Sequence, residues 1–200
     1  MKILHTVEFY DPSIGGMQEV VKQLSEYLVQ RGHEVTVATS HDPSRKSLSI
    51  NGVIIREFPI SGNAVRGMKG NLQAYQDFLL HSGFDIIVNF GAQHWATDLM
   101  LPLLDEIVGK KLFVPTGFSF LHDPAYAQYF EKMKEWMKSY DMNIFLSESY
   151  QDYEFARNAG VKNCIVIPNG ASAEEFLSPD KMDVRKCLKI PEDHFLILHV

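Results

Sequence analysis

The chain alternates, from its start to about residue 167, between short apolar, β-branched runs and longer amphipathic segments. The runs Lys2 to Phe9 and Glu34 to Ser40 have the composition of buried strands, and the apolar residues between them fall on one helical stripe that ends at Gly32. Parallel strands need such helical crossovers to bring the chain back to the same edge of the sheet. The sequence therefore predicts an α/β fold, a Rossmann-like, doubly wound and mostly parallel sheet with helices on both faces.

The alternation changes near residue 168, and we expect two parts. Residues 1–167 should form one domain, closed by the predicted strand Asn163 to Ile167. Residues 168–200 begin with the turn Pro168-Asn169-Gly170 and end in the apolar run Phe195 to Val200. Because a strand needs partners and a cover, we interpret this part as a linker and the truncated first strand of a second domain.

The first loop of the sheet contains two adjacent glycines. In doubly wound sheets ligands bind beyond the carboxyl ends of the strands, and Gly15, Gly16 and Met17 lie between the first strand and the first helix. Amides at a helix start attract anions, and glycine allows close approach to the backbone. We interpret the loop as ligand-binding, with a tight turn that binds nothing as the alternative. An NAD site is disfavoured, because the loop lacks the G-x-G-x-x-G spacing and no acidic residue ends the second strand.

Other candidate residues follow the later strands. Gln93 and His94 come after the strand Asp85 to Phe90, where His94 could act as a general base and Gln93 could contact a ligand. The alternative for His94 is a structural histidine packed against Trp95. Gly117 also follows a strand and is a further candidate for ligand binding.

The loop before Pro124 and the start of a later predicted helix supply three more residues. His122 is a candidate for the cleft, whereas its neighbour Asp123 is predicted to cap the helix that begins at Pro124. Glu148 opens a predicted helix, where it would either contact a ligand or complement the helix dipole.

The composition excludes several classes of function. The net charge of −6 disfavours a nucleic-acid partner. The two cysteines, Cys164 and Cys187, are far apart, have no metal-ligand spacing and suit reduced thiols in a cytosolic protein. We expect no metal site and no cofactor.

Three segments occur in order along the chain: Pro12-Ser13-Ile14-Gly15-Gly16, Arg31-Gly32-His33-Glu34-Val35 and Ile167-Pro168-Asn169-Gly170. Together they resemble the N-terminal half of retaining glycosyltransferases of family 4, which are GT-B enzymes with two Rossmann-like domains. The resemblance implies that this part of the enzyme binds the acceptor, a glycan or a lipid-linked sugar. The nucleotide-sugar donor would bind mostly to the second domain, with the Gly15–Gly16 loop near its diphosphate. It also implies polysaccharide biosynthesis by a cytoplasmic enzyme, either free or in peripheral contact with the inner face of the membrane.

The chain departs from the family pattern at the reaction centre. Val88 and Phe90 occupy the positions of the family's His-x-His, and Thr116 occupies that of a histidine that lines the reaction centre. Thr116 is therefore a candidate catalytic residue, with His94 or His122 as stand-ins for the absent histidine. Two alternatives stay open: a nucleotide-sugar epimerase of the same fold, and a sugar- or nucleotide-binding domain without transfer activity.

Overall fold

The computed structural model describes residues 1–81, 83–171 and 183–197. The chain divides into two compact units, Met1–Pro168 and Asn169–Val200. The described residues of the first unit form ten strands, in chain order β1 (Lys2–Thr6), β2 (Glu34–Ser40), β3 (Ser49–Ile50), β4 (Val53–Phe58), β5 (Ser61–Asn63), β6 (Gly67–Lys69), β7 (Ile86–Phe90), β8 (Lys110–Val114), β9 (Met142–Phe145) and β10 (Cys164–Val166).

Helices follow most of the strands. They are α1 (Gly16–Gln30), α2 (Leu72–His81), α3 (Trp95–Asp98), α4 (Ala127–Ser139) and α5 (Gln151–Asn158), with 3₁₀ turns at Leu101–Leu103 and Pro124–Tyr126. The predicted cap at Pro124 is confirmed, since the Asp123 carboxylate accepts a hydrogen bond from the Ala125 amide at 2.9 Å.

Eight strands form one sheet in the order β10-β9-β8-β7-β1-β2-β4-β3, and the short strands β5 and β6 form a separate hairpin. The pairs of the large sheet are parallel except for β3 with β4. Adjacent residues of β1 point to opposite faces of the sheet and belong to two different hydrophobic cores. Leu4 packs with helices α2 to α5, whereas Ile3 packs with α1. The predicted doubly wound α/β fold is thus confirmed, with helices on both faces of the sheet.

The strand order reverses at β1. From β1 the chain proceeds outward to β2 and β4 on one side, and then returns to β7, β8, β9 and β10 on the other. The loops that leave β1 and β7 therefore lie at the carboxyl edge of the sheet, on either side of this reversal, which is the usual ligand position in such sheets. The Gly15–Gly16 loop follows β1, and Gln93 and His94 follow β7.

One sequence prediction of local structure is wrong, and one element was not predicted. The apolar pattern predicts a helix over Trp95 to Val108 that Gly109 stops, but α3 ends at Asp98 and a 3₁₀ turn follows. Pro102 explains the break, because it has no N–H to donate to the carbonyl of Asp98. The hairpin of β5 and β6 was not predicted, since its strands are three residues each and rich in glycine.

The second unit contains one described helix, α6 (Val184–Leu188), which Asp183 caps by accepting from the Lys186 amide at 3.1 Å. The predicted strand Phe195 to Val200 is not seen in its described part, because residues 195–197 belong to no strand and Phe195 is 91% exposed. Its last three residues, 198–200, lie outside the described residues.

Candidate functional site

The glycine loop after β1 leads into the start of α1. Gly15 caps the helix in an extended conformation, with φ −179°, and Gly16 is its first residue. Neither glycine has a left-handed backbone. A Cβ added at Gly16 would meet no atom within 4 Å, so the residue borders open space. Gly16 is exposed, and the first amides of the helix have no partner within it, as at any helix start.

A buried arginine from the next loop fixes the path of the chain into the glycine pair. The Arg45 side chain is 2% exposed and forms an ion pair with Glu57 of β4. Its guanidinium also donates to the carbonyl oxygens of Asp11 at 2.6 Å, Tyr10 at 3.3 Å and Ser40 at 3.2 Å. Four of the five guanidinium N–H groups are thus used to join the loops after β1 and β2.

The loop after β7 packs directly against the glycine loop. Gly91 has φ +81°, and a Cβ there would lie 2.7 Å from His94 Nε2 and 3.1 Å from the terminal methyl of Met17. Only glycine fits this position, both for its conformation and for its close neighbours. The structure therefore brings Met17 and His94 together at the point where the strand order reverses.

His94 is enclosed at this point. Its exposed fraction is 5%, and Nε2 lies 2.8 Å from the Phe90 carbonyl oxygen, which can only accept, so Nε2 carries the proton. Burial lowers the pKa of His94 to about 4, although the hydrogen bond to Phe90 opposes the shift. The ring is therefore neutral at pH 7, and its buried Nδ1 has no partner among the described residues. This environment suits a residue that positions the loop, which was the alternative to a general base in the sequence analysis.

Asp98, a buried carboxylate close to the same loop, was not predicted from the sequence as a site residue. Asp98 is 4% exposed and accepts hydrogen bonds from the Tyr129 hydroxyl at 2.7 Å and the Ala64 amide at 2.9 Å. The Tyr129 oxygen in turn accepts from the Gln93 amide at 3.2 Å. Burial raises the pKa of Asp98 to about 6, although these hydrogen bonds oppose the shift. The signal available in the sequence was a single acidic residue within an otherwise apolar run.

The loop after β8 has a left-handed backbone at two successive residues. Thr116 has φ +57° and Gly117 has φ +86°. The Gly117 amide donates to Asp152 Oδ2 at 2.8 Å, and Asp152, in the first turn of α5, is fully buried. Burial raises the pKa of this carboxyl, although its hydrogen bonds oppose the shift. Asp152 thus holds a β-branched residue in a conformation that such residues avoid.

Replacing Thr116 by Gly should raise the free energy of unfolding by about 1 kcal/mol. Relief of a left-handed non-glycine residue is worth about 1–3 kcal/mol, and the added freedom of glycine in the unfolded chain offsets about 0.4–1 kcal/mol of that gain. Thr116→Ala, which keeps a Cβ, is the control and should not gain as much. Urea unfolding measures both. A Gly variant less stable than the Ala variant would show that the turn is unstrained.

Two predicted site residues lie elsewhere. His122 lines a groove of about 420 Å³ between α4 and α5, beside Gln151 and Glu154. Glu148 lies in an exposed turn, and the prediction that it opens a helix is wrong, since α5 begins three residues later at Gln151. The turn is instead closed by Ser147, whose hydroxyl accepts from the Ser149 amide at 3.2 Å.

The described residues contain neither a metal-binding cluster nor a membrane-spanning helix. Across residues 1–81, 83–171 and 183–197, no group of three or more His, Cys, Asp or Glu side chains is arranged to hold a metal ion. Within the same ranges, no helix has the length and apolar character required to cross a bilayer.

The doubly wound sheet, with strand-end loops that meet where its order reverses, defines a Rossmann-like α/β domain. A family model described as Glycosyltransferase Family 4 matches residues 14–175. The chain therefore belongs to glycosyltransferase family 4. A search of curated proteins by sequence gave no match.

Solved structures of glycosyltransferases have the same fold. Sucrose-phosphate synthase from Thermosynechococcus elongatus aligns with a TM-score of 0.67 and 16% identity, over 96% of this chain and 53% of its own. A glycosyltransferase from Rickettsia africae gives 0.62 and 15%, over 96% and 50%. WaaG, a glycosyltransferase involved in lipopolysaccharide biosynthesis, gives 0.59 and 14%, over 95% and 52%. The chain thus has the fold of the N-terminal domain of GT-B glycosyltransferases and spans about half the length of these structures.

Proposed function

We propose that this chain is the acceptor-binding half of a retaining glycosyltransferase. The observation that carries the proposal is the contact between the glycine loop and the β7 loop, where Met17 and His94 pack on Gly91 at the reversal of strand order. The donor in this proposal is a nucleotide-diphosphate sugar. An α-glucosyltransferase of the same fold was solved with UDP and a 13-mer DNA (TM-score 0.51, 14% identity, 84% of this chain and 42% of its own).

The proposal gives each loop a task. The amides that begin α1, at Gly15 and Gly16, approach the donor diphosphate from across the cleft. Thr116 and Gly117 present polar groups beside the reacting sugar, while Gln93 and His94 hold the β7 loop in place. The bond between the anomeric carbon and the diphosphate breaks and its electron pair leaves with the diphosphate oxygen. The acceptor oxygen bonds to that carbon on the same face, and the acceptor proton passes to the departing diphosphate. The more distant His122 and Glu148 would contact outlying parts of the acceptor.

The proposal also covers the length of the whole protein and its place in the cell. Since the matched structures are about twice as long, we propose that the donor-binding half comes from sequence outside these 200 residues, with residues 168–200 as the linker into it. The free thiols Cys164 and Cys187 suit a cytoplasmic enzyme.

The 200-residue chain alone should transfer no sugar, because transfer requires donor and acceptor to be held together. The test mixes the chain with a panel of nucleotide sugars and glycan or lipid-linked acceptors, and follows release of the nucleotide diphosphate. Calorimetric titration with UDP-glucose, which should give no heat of binding, is the companion measurement. Acceptor-dependent turnover by the chain alone would contradict the division of labour between two halves.

A further inference from the structure

A small cleft lies between the loops that follow β1 and β2. Its volume is about 180 Å³, and Phe9, Ser13, His41 and Asp42 contribute to its lining. We call it the Phe9 cleft. Drug-sized ligands occupy about 300–1,000 Å³, so this cleft suits one small ring. We propose, resting on the function proposed above, that the Phe9 cleft binds a neutral sugar ring of the acceptor.

The aromatic wall of the cleft is Phe9. Phe9 lies in the loop after β1, and its side chain is 49% exposed, although most large apolar side chains of the first unit are buried. An exposed aromatic face beside polar groups suits the C–H face of a sugar, whose edge carries hydroxyls.

In its neutral form, His41 presents a hydrogen-bond acceptor. Its Nδ1 lies 3.0 Å from Glu57 Oε2 on β4. The pKa of Glu57 is lowered overall, because the hydrogen bonds from His41 and the Asp42 amide and the charge of Arg45 outweigh the effect of its burial. An ionised carboxylate only accepts, so Nδ1 carries a proton and, in the neutral ring, Nε2 has the lone pair. The ring is about half exposed.

Asp42 adds a second acceptor. Its Oδ1 accepts from both the Ser44 amide at 2.8 Å and the Ser44 hydroxyl at 2.6 Å, and these bonds hold the pKa of Asp42 below its usual value. The second oxygen, Oδ2, takes part in neither bond. Ser13 supplies a hydroxyl, which accepts only a long hydrogen bond from Gln18 at 3.5 Å.

The balance of charge favours a hydroxyl-rich ligand over a phosphate. Arg45 also lines the cleft, but Glu57 and three carbonyl oxygens occupy its guanidinium. Phosphate recognition relies on available Arg or Lys donors, and the ionised Asp42 repels an anion. Sugars, by contrast, offer several O–H donors to the imidazole and carboxylate acceptors. The cleft therefore selects an unphosphorylated ring, whether free or part of a longer glycan or lipid-linked chain.

The test measures binding of methyl glycosides of glucose, mannose and galactose, each beside its 6-phosphate, to the 200-residue chain by saturation-transfer NMR. At least one neutral glycoside should bind in the millimolar range, and its 6-phosphate should bind at least tenfold more weakly. Asp42→Asn should weaken binding about tenfold, the scale of a hydrogen bond to a charged group. Phe9→Ala, which removes the aromatic wall, should weaken binding by a similar factor of about tenfold. Asp42→Asn keeps the oxygen that Ser44 requires, so the turn should survive.

Matched controls are Tyr27→Ala and Asp105→Asn. Tyr27 is also 49% exposed but lies near the far end of α1, about 16 Å along the helix from Gly16, and both control variants should bind normally. No glycoside binding, equal or tighter binding of a 6-phosphate, or binding unchanged in the Phe9 and Asp42 variants would overturn the proposal. A transferring enzyme that tolerates Phe9→Ala and Asp42→Asn would overturn it and keep the proposed function. Glycoside binding in the cleft, without sugar transfer by any longer form of the protein, would keep the cleft proposal and overturn the proposed function.

Discussion

Replacing Arg45 by Ala should lower the free energy of unfolding by about 3 kcal/mol, near the lower end of the cost of breaking a buried ion pair. The variant would leave the mostly buried Glu57 carboxylate without its cation, and the carbonyl oxygens of Tyr10, Asp11 and Ser40 without their shared donor. For a domain of this size the loss corresponds to a fall in Tm of roughly 10 °C. Thermal and urea unfolding measure it.

The same substitution should loosen the glycine loop before the fold itself fails. Hydrogen exchange of the amides from Ser13 to Gly16 should accelerate well beyond the change in global stability, because Arg45 ties the preceding residues to the β2 loop. Lys46→Ala is the control, since this neighbouring cation is exposed and should cost less than about 0.5 kcal/mol. Equal stabilities of the Arg45 and Lys46 variants would refute the clamp.

Replacing Gly16 by Val should reduce kcat/KM about 100-fold in the transfer-competent protein, this domain joined to its donor-binding half. The estimate is the loss expected when reacting groups are displaced by about 1 Å. The structure sharpens this prediction. Gly16 does not have a left-handed backbone, and its Cβ would border open space, so strain does not contribute. An activity loss would report obstruction of the approach to the helix start.

Two further variants calibrate that result. Gly16→Ala adds a single Cβ and should cost roughly tenfold, the lesser displacement of the two. Gln23→Val introduces the same valine side chain at an exposed position in the middle of α1. Its kcat/KM should stay within about twofold of the parent value, because surface substitutions away from special features have small effects.

The sequence was sufficient for the architecture because the fold depends on periodic patterns. Alternating strands and amphipathic helices require a parallel sheet with both faces covered, and β2 was predicted with the bounds that the structure has. Local turn chemistry was equally readable, as the Asp123 cap shows. These features depend on residues close to one another along the chain.

Elements that depend on single residues or on tertiary contacts were predicted less well. The apolar pattern after Trp95 continues through Pro102, but the missing amide of proline ends α3 early. Glu148 follows a strand as a helix start would, yet Ser147 and Ser149 close a turn there and delay α5 to Gln151. The hairpin of β5 and β6 is anchored from outside, by the hydrogen bond from the Ala64 amide to Asp98.

Some residues of the candidate site could be predicted from the sequence, whereas others depend on tertiary contacts. Strand-end position alone identified Gly15, Gly16 and the β7 loop, because parallel topology gathers these positions at one edge. The residues that shape the loops are distant in sequence: Arg45 lies more than 30 residues from Tyr10 and Asp11, and Asp152 lies 35 from Gly117. No local pattern pairs such residues, so only the folded chain reveals them.

The central claim, that the glycine loop after β1 is a ligand site, is tested most directly by measuring kcat/KM and Tm together for Gly16→Val. We predict a loss of about 100-fold in kcat/KM with Tm within about 2 °C of the parent protein, since the propensity change at a helix end is a few tenths of a kcal/mol. Unchanged kinetics would contradict the claim and leave the loop as a turn. A fall in Tm large enough to account for the lost activity would contradict it as well.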